Sequence, residues 1–194
     1  MRKEEKLEIT KEKLITAATE LLATCDDPNK VTSRAIAASA QVPLGMVNYC
    51  FGSREALLFE AFCRNRDRYL TDDRMVGILT ADIPPKEKVR RLHYLVSDFL
   101  VNEYKYTHAI TGYLLLNRDL MKGLTTLPLI KEHYGDTREE WELKMISYQL
   151  SSLMQLVIYR IDDMSNFLGK DLHVRDELHS LIDLQIDLLL EDVV

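Results

Sequence analysis

Apolar residues recur at the spacing of an α-helix along most of this 194-residue chain, and this periodicity constrains its fold most strongly. The first such stripe consists of Leu14, Ala17, Ala18, Leu21 and Leu22. Glycine and proline, which interrupt helices, occur only 7 and 5 times, and no run shows the period-two alternation of a half-buried strand. The sequence therefore predicts an all-α fold with about nine helices.

Charge is distributed unevenly along the chain, whose 46% hydrophobic content suffices for one domain or for a small domain fused to a larger one. Residues 1–70 contain 11 Lys and Arg against 10 Asp and Glu, whereas residues 71–194 contain 14 against 21. The net charge of -6 argues against unspecific binding of nucleic acid. Its distribution nevertheless resembles a small nucleic-acid-binding module attached to an acidic body.

Several classes of protein are disfavoured by the composition. No apolar run reaches the ~18 residues needed to span a bilayer, and the first residues lack the apolar stretch of a secretory signal. Three cysteines without a CxxC spacing argue against a disulfide framework and a zinc knuckle. The five histidines have no HExxH spacing, and there is no glycine-rich phosphate loop. We therefore expect a cytoplasmic protein that is not an enzyme and uses no metal or cofactor.

Three short helices near the N-terminus are predicted to form a helix-turn-helix, with a tight turn at residues 41–43. Small residues on the second helix allow close packing, and they are Ala35, Ala37, Ala38 and Ala40. Gly45 adds no bulk where the third helix begins, so the backbone there can approach a phosphate or a base edge. Val47 and Phe51 can anchor the third helix, and Ser53 can cap a fourth.

These residues resemble the signature of TetR-type (TetR/AcrR) transcriptional repressors over about residues 10–60. The matching positions are Val31-Thr32, Ile36-Ala37, Ala40, Val42, Gly45, Val47, Tyr49, Phe51, Ser53-Arg54-Glu55 and Leu57. The resemblance implies a DNA-binding domain at 1–52 and a helical effector-binding and dimerisation domain at 53–194. Beyond residue 60 the likeness lies only in length and helix number.

The resemblance also implies how the module contacts DNA. Thr32 and Ser33 would hold a phosphate at the start of the second helix, and Arg54 would pair with phosphate at the start of the fourth. Arg34 would reach the backbone or a base. The residues that would face DNA from the third helix are Pro43, Leu44, Gly45, Met46, Asn48 and Tyr49.

Base reading would depend on the third helix. The amide of Asn48 suits a paired contact to adenine, and Leu44 and Met46 suit thymine methyl groups. This sequence departs from the common pattern at Leu44, where a basic or small residue is frequent, and at Asn48, where tyrosine is usual. It also has Cys50 in place of histidine or an aromatic residue. These departures bear on affinity and specificity more than on the fold.

Simpler roles remain open for the same residues. Thr32, Ser33 and Ser53 are good helix caps irrespective of DNA. Arg54 can be a solvated helix charge, and Cys50 can be an unreactive thiol as well as a redox switch beside DNA.

For the body, the resemblance implies an effector pocket and a dimer interface. Candidate pocket residues are His93, Phe99, Tyr104, Tyr113, Trp141, Met145 and Tyr148, although aromatic residues at helical spacing are more often plain core. The acidic balance favours a cationic or neutral ligand. A long helix, opened by a capping box at Thr137 and reaching about Phe167, carries two apolar stripes, so it needs a partner besides its own core.

The long helix and the final helix, from about Val174, are therefore predicted to pair with a second copy in a four-helix interface. Two-fold symmetry would match an inverted-repeat operator, released when an unknown small-molecule effector binds. The alternative is a DNA-binding or interaction factor that has the same fold but no effector. A hypothesis from a different functional class is a helical enzyme.

Overall fold

The computed structural model describes residues 3–70, 73–117, 119–120 and 125–191, and these residues form helices without any β-strand. The α-helices among them are α1 (Lys3–Thr24), α2 (Ser33–Ser39), α3 (Gly45–Phe51), α4 (Arg54–Leu70), α5 (Asp73–Thr80), α6 (Pro85–Asn102), α7 (Tyr104–Asn117), α8 (Leu127–Tyr134), α9 (Glu140–Tyr159), α10 (Ile161–Leu168) and α11 (Arg175–Leu189). A short 3-10 helix, Pro28–Lys30, precedes α2. The all-α prediction is confirmed, but the expected number of helices is too low.

Two features account for the larger number of helices. The first is α5, in a stretch where the sequence predicts no helix. The second is a break at Arg160 (φ -110°, ψ 35°), which divides the predicted long helix into α9 and α10. No glycine or proline marks this break. The start of α9 also differs, because the capping box is formed by Glu139 and Glu142 rather than from Thr137.

The helices are divided between two compact units. The first unit comprises Met1–Arg68 and Glu103–Arg118, and the second comprises Tyr69–Asn102 and Asp119–Val194. The predicted boundary at residue 52 separates a DNA-binding domain from an effector-binding domain by function, whereas these units are defined by compactness. The functional boundary therefore remains a prediction.

The first unit is built around the apolar face of α1. This helix contacts α2, α3 and α7, and α2 contacts α3. The large side chains buried in this unit include Leu14, Leu22, Ile36, Leu57, Leu58 and Ile110. The Tyr106 hydroxyl of α7 donates to the Thr19 carbonyl of α1 at 2.7 Å. The pair α2 and α3 is thereby held on a hydrophobic base, as the helix-turn-helix prediction requires.

The second unit is built around α6, which contacts α5, α8, α9 and α11. Its large buried side chains include Phe99, Ile130, Leu150, Ile158, Ile161 and Leu172. Arg90 links α6 to α11, because its guanidinium donates hydrogen bonds to Asp183 at 2.5 Å and to Asp187 at 2.8 Å. The hydrogen bond from Arg90 holds the pKa of Asp187 below its ordinary value of 3.8.

The turn between α2 and α3 ends the second helix in a Schellman motif. The Val42 N–H donates to the Ala37 carbonyl at 3.0 Å, and the Gln41 N–H donates to the Ala38 carbonyl at 3.1 Å. This pattern requires a left-handed residue between them, and Gln41 adopts it with φ 55°. Gln41 is the only non-glycine residue with positive φ in the described part of the chain. The turn is therefore strained at this position.

Replacing Gln41 by glycine is expected to raise the free energy of unfolding by about 0.5–1 kcal/mol, because glycine adopts the left-handed conformation without a steric penalty. Urea denaturation at pH 7 measures the change. Ser39→Gly is the matched control, since Ser39 ends α2 in helical conformation and glycine there should lower the free energy of unfolding by up to about 1 kcal/mol. A loss of stability in Gln41→Gly would contradict the strained turn.

Candidate nucleic-acid interface

The N-terminus of α2 is capped by Thr32. Its side-chain oxygen accepts from the Ala35 N–H at 3.2 Å, which confirms the capping role. A capping hydroxyl uses only an acceptor lone pair, so its own O–H can still donate to a phosphate. Thr32 and Arg34 are exposed, and Ser33 is half-buried.

The outer face of α3 is exposed, while its inner face is anchored. Val47 is fully buried beneath the helix. On the outer side Tyr49 is 65% exposed, and Leu44, the residue before α3, is 47% exposed. Of the other predicted contacts, Pro43 before the helix and Gly45 and Asn48 on it are exposed, and Met46 is half-buried. Large apolar side chains such as Leu44 and Tyr49, left in solvent at a short helix, are available to a partner.

Gly45, the first residue of α3, is not required by the packing of the protein. Apart from its chain neighbours and the backbone of its own helix, a Cβ atom built on it would meet no atom within 4 Å, and its φ lies outside the positive region where glycine is favoured. Glycine also lowers helix stability relative to alanine. Neither crowding nor backbone conformation in the described fold therefore accounts for a glycine at this position.

The segment around α2 and α3 carries no negative side chain. Between residues 28 and 54 the sequence contains Lys30, Arg34 and Arg54 but neither aspartate nor glutamate, although the whole chain has 31 acidic residues. Lys30 and Arg34 are exposed. A segment with positive side chains and no carboxylate of its own favours contact with the phosphate backbone of nucleic acid, although Glu8, Glu12 and Glu20 of α1 line a cleft beside the end of α2.

Arg54 has a structural role besides its predicted contact to phosphate. Its guanidinium donates to the carbonyl oxygen of Val31 and, at 2.7 Å, to that of Pro28. It also pairs with Glu55 at 3.1 Å. These bonds tie the start of α4 to the loop that leads into Thr32. Arg54 thus positions the N-terminus of α2, and its contact to phosphate remains a prediction.

Two further residues around α3 have defined environments. The Ser53 hydroxyl accepts from the Ala56 N–H at 3.0 Å, which confirms that Ser53 caps α4. Cys50 is half-buried, and burial raises the pKa of its thiol above the ordinary value of 9.0. The thiolate is the reactive form, and a raised pKa lowers its population. This environment therefore favours an unreactive Cys50 thiol over a redox switch.

The seven side chains predicted to line an effector pocket are divided between the two units. Tyr104 and Tyr113 belong to the first unit, and the other five belong to the second. Of those five, His93 and Phe99 are buried, Tyr148 is half-buried, and Trp141 and Met145 are exposed. None of the seven lines either of the two clefts that the structure describes, one in each unit.

His93 is a core residue of α6. Its Nδ1 lies 2.9 Å from the Val89 carbonyl oxygen, one helical turn earlier. Burial lowers the pKa of His93 below its ordinary value of 6.5, and the bond to Val89 offsets this only in part. The folded protein therefore keeps His93 neutral at a pH where the unfolded chain binds a proton.

Stability is expected to fall as the pH drops below 6.5, the ordinary pKa of histidine, because the unfolded state gains the proton that buried His93 resists. This group contributes as much as about 1.4 kcal/mol per pH unit in that range. The free energy of unfolding of His93→Gln should depend less on pH between 7 and 5 than that of the wild type. Parallel urea titrations test this, and equal pH slopes for both proteins would contradict it.

Exposed apolar side chains on α9 and α11 form a second surface. They are Trp141, Met145, Leu153 and Leu156 on α9, and Leu184 and Leu188 on α11. The two helices contact each other. The opposite face of α9 supplies buried residues such as Leu143, Leu150 and Val157 to the core. The structure thus confirms that α9 is apolar on two faces, one of which is exposed among the described residues.

Comparison with known proteins identifies the fold. No family model matches the chain, and no curated protein matches it. Among solved structures, a TetR transcriptional regulator from Rhodococcus sp. RHA1 is similar over 98% of this chain and 99% of its own, with a TM-score of 0.59 and 16% sequence identity. A TetR-like transcriptional regulator from the same organism covers 91% of this chain and 93% of its own, with a TM-score of 0.51 and 16% identity.

The molecule is thus an all-helical protein with a helix-turn-helix in its first unit. Its fold is that of TetR-type regulators, as the motif predicted. No helix in the described ranges is both long and apolar enough to cross a membrane.

Proposed function

We propose that this protein is a transcriptional regulator that binds duplex DNA through α2 and α3. The observation that carries the proposal is the outer face of α3, exposed and free of carboxylates, on an anchored helix whose first residue is a glycine that the fold does not need. An α-helix of this kind fits the major groove, where base edges differ between all four base pairs.

Two copies of the chain would present two such helices. The exposed apolar residues of α9 and α11 would be buried when two copies form a four-helix interface. Closed two-fold symmetry places the same surface on both subunits. A symmetric dimer then reads the same half-site on each side of an inverted repeat.

Asn48 is proposed as a base-reading residue. Asn48→Ala should relax the preference for one base pair in each half-site and weaken binding to the best operator by about 1–3 kcal/mol per contact. Selection of bound duplexes with the variant measures the change. Asn117→Ala on α7 is a control, since Asn117 is an exposed amide that donates along its own helix to the Tyr113 carbonyl. Unchanged specificity in Asn48→Ala would remove this residue from the reading surface.

Repression with release by a small effector is the expected mode of regulation. An effector can release DNA only if it binds the DNA-free conformation more tightly than the DNA-bound one. The alternative is a DNA-binding factor on the same fold that responds to no effector. Binding of an effector to the full chain, followed by loss of operator affinity, would distinguish the two.

The proposal is tested by selecting bound duplexes from a random library with the purified full chain at fixed salt. Enrichment of an inverted repeat would support a dimeric, sequence-specific regulator. A folded dimer that enriches no site would overturn the proposal. Salt dependence of the affinity then gives the number of phosphate contacts, since binding weakens with salt in proportion to that number.

A further inference from the structure

A cleft in the second unit lies between α5, the C-terminal half of α6 and the start of α11. Its volume is about 300 Å³, at the lower end of the range for small-molecule pockets. Arg74 of α5 and Arg175 of α11 both line it. Asp98 and Asn102 of α6 line it too, and Tyr69 and Leu178 add apolar surface.

The one carboxylate on the lining is already neutralised within the protein. Asp98 lies 2.9 Å from His179 Nε2 through Oδ1 and 2.8 Å from an Arg175 nitrogen through Oδ2. The Arg175 side chain remains 71% exposed, so most of its N–H groups face solvent. The cleft therefore keeps donors that Asp98 does not use.

Arg74 has no carboxylate partner among the described residues. Its guanidinium carbon lies 5.6 Å from the centre of the Tyr69 ring, which is a cation–π contact rather than an ion pair. A guanidinium held over a ring keeps its N–H edge available for a planar anion. The two arginines outnumber the single carboxylate of Asp98, so this small cleft is net positive, inside a unit whose sequence is acidic as a whole.

We propose that this cleft binds a small organic carboxylate with a flat apolar body. The arginine forks of Arg74 and Arg175 match the geometry of a carboxylate, and the Asn102 amide adds a further donor. The Tyr69 ring and Leu178 contact the apolar part of the ligand. The acidic composition of the body as a whole predicted a cationic or neutral ligand. The positive charge of this cleft, which is closer to the ligand, favours an anion instead. A role of this ligand as the effector rests on the proposed function, but its binding does not.

Benzoate is the probe for this site, and benzamide, of the same shape but uncharged, is the matched ligand. Calorimetric titration of the full chain without DNA measures both. Benzoate should bind saturably at millimolar concentration and benzamide should not. Arg74→Gln and Arg175→Gln should each weaken benzoate binding about tenfold, the effect of losing one charge-assisted contact. Arg74→Lys, which keeps the charge but not the fork, should recover part of the loss.

Arg91→Gln is the control protein, because Arg91 is an exposed arginine of α6 that pairs with Glu87 and does not line the cleft. It should bind benzoate as the wild type does. Thermal unfolding of each variant shows whether a loss of binding reflects a loss of folding. The proposal would be overturned if the wild type did not bind benzoate. It would also be overturned if Arg74→Gln and Arg175→Gln bound benzoate as tightly as the wild type does, or if the wild type bound benzamide or inorganic phosphate as tightly as benzoate. Because no DNA is present, such a failure leaves the proposed function unaffected.

Discussion

Replacing Gly45 by alanine is expected to stabilise the protein while weakening its binding to operator DNA. The added methyl group meets no atom within 4 Å beyond the chain neighbours and the backbone of α3, and Gly45 lies in the first turn of this helix. Alanine should therefore raise the free energy of unfolding by up to about 1 kcal/mol through its better helix propensity. On the DNA side the methyl group would hold the helix away from the groove. The cost should be about 1–3 kcal/mol per half-site, comparable with a mismatched base pair.

Opposite signs of the two effects make this prediction specific. Urea denaturation gives the change in stability, and titration of a selected operator at fixed salt gives the change in affinity. Gly112→Ala is the matched control, because Gly112 is an exposed glycine in α7 whose Cβ would also meet nothing within 4 Å. It should stabilise the protein without changing operator binding. If Gly45→Ala binds DNA as the wild type does, the mapping of α3 as the reading helix is wrong.

The helix-turn-helix could be predicted from sequence because its determinants are local. The Thr32 and Ser53 caps act on backbone groups three residues away, and the buried position of Val47 follows from helical spacing. Arg54 was assigned differently because its partners, the carbonyls of Pro28 and Val31, lie more than twenty residues away in the chain. Every residue has a backbone carbonyl, so residue types do not show which carbonyl a side chain will contact. The sequence therefore indicates only the charge of Arg54.

The body was less predictable for two physical reasons. Arg160 breaks the long helix without a residue that disfavours helix, so the apolar period runs across α9 and α10 without interruption. The pocket prediction rests on aromatic residues and Met145 at helical spacing, and of these residues His93 and Phe99 are buried whereas Trp141 is exposed. Periodicity identifies an apolar face but not what covers it. The charged cleft of Arg74 and Arg175 depends on helix packing, which no spacing rule describes.

Replacing Leu184 by glutamate is expected to convert the proposed dimer into a monomer and to reduce operator affinity by two orders of magnitude or more. Leu184 and Leu188 are 56% and 70% exposed on α11, so a charge at Leu184 is solvated in a single chain. In a dimer the same charge would lie against apolar residues, where an unpaired ion is costly. A monomer holds only one reading helix and loses the avidity of the second, which is commonly worth a factor of about 10²–10⁴.

Sedimentation at several protein concentrations measures the assembly, and titration of a selected operator measures the affinity. Leu116→Glu is the matched control, because Leu116 on α7 is 87% exposed but does not belong to the α9 and α11 surface. It should remain a dimer with unchanged affinity. Leu188→Gln, a milder change on the same face, keeps the test decisive if Leu184→Glu does not fold, since it should weaken the dimer without unfolding the chain. Folded variants of both leucines that remain dimeric would show that α11 lies outside the interface, and the inverted repeat would then need another source of symmetry.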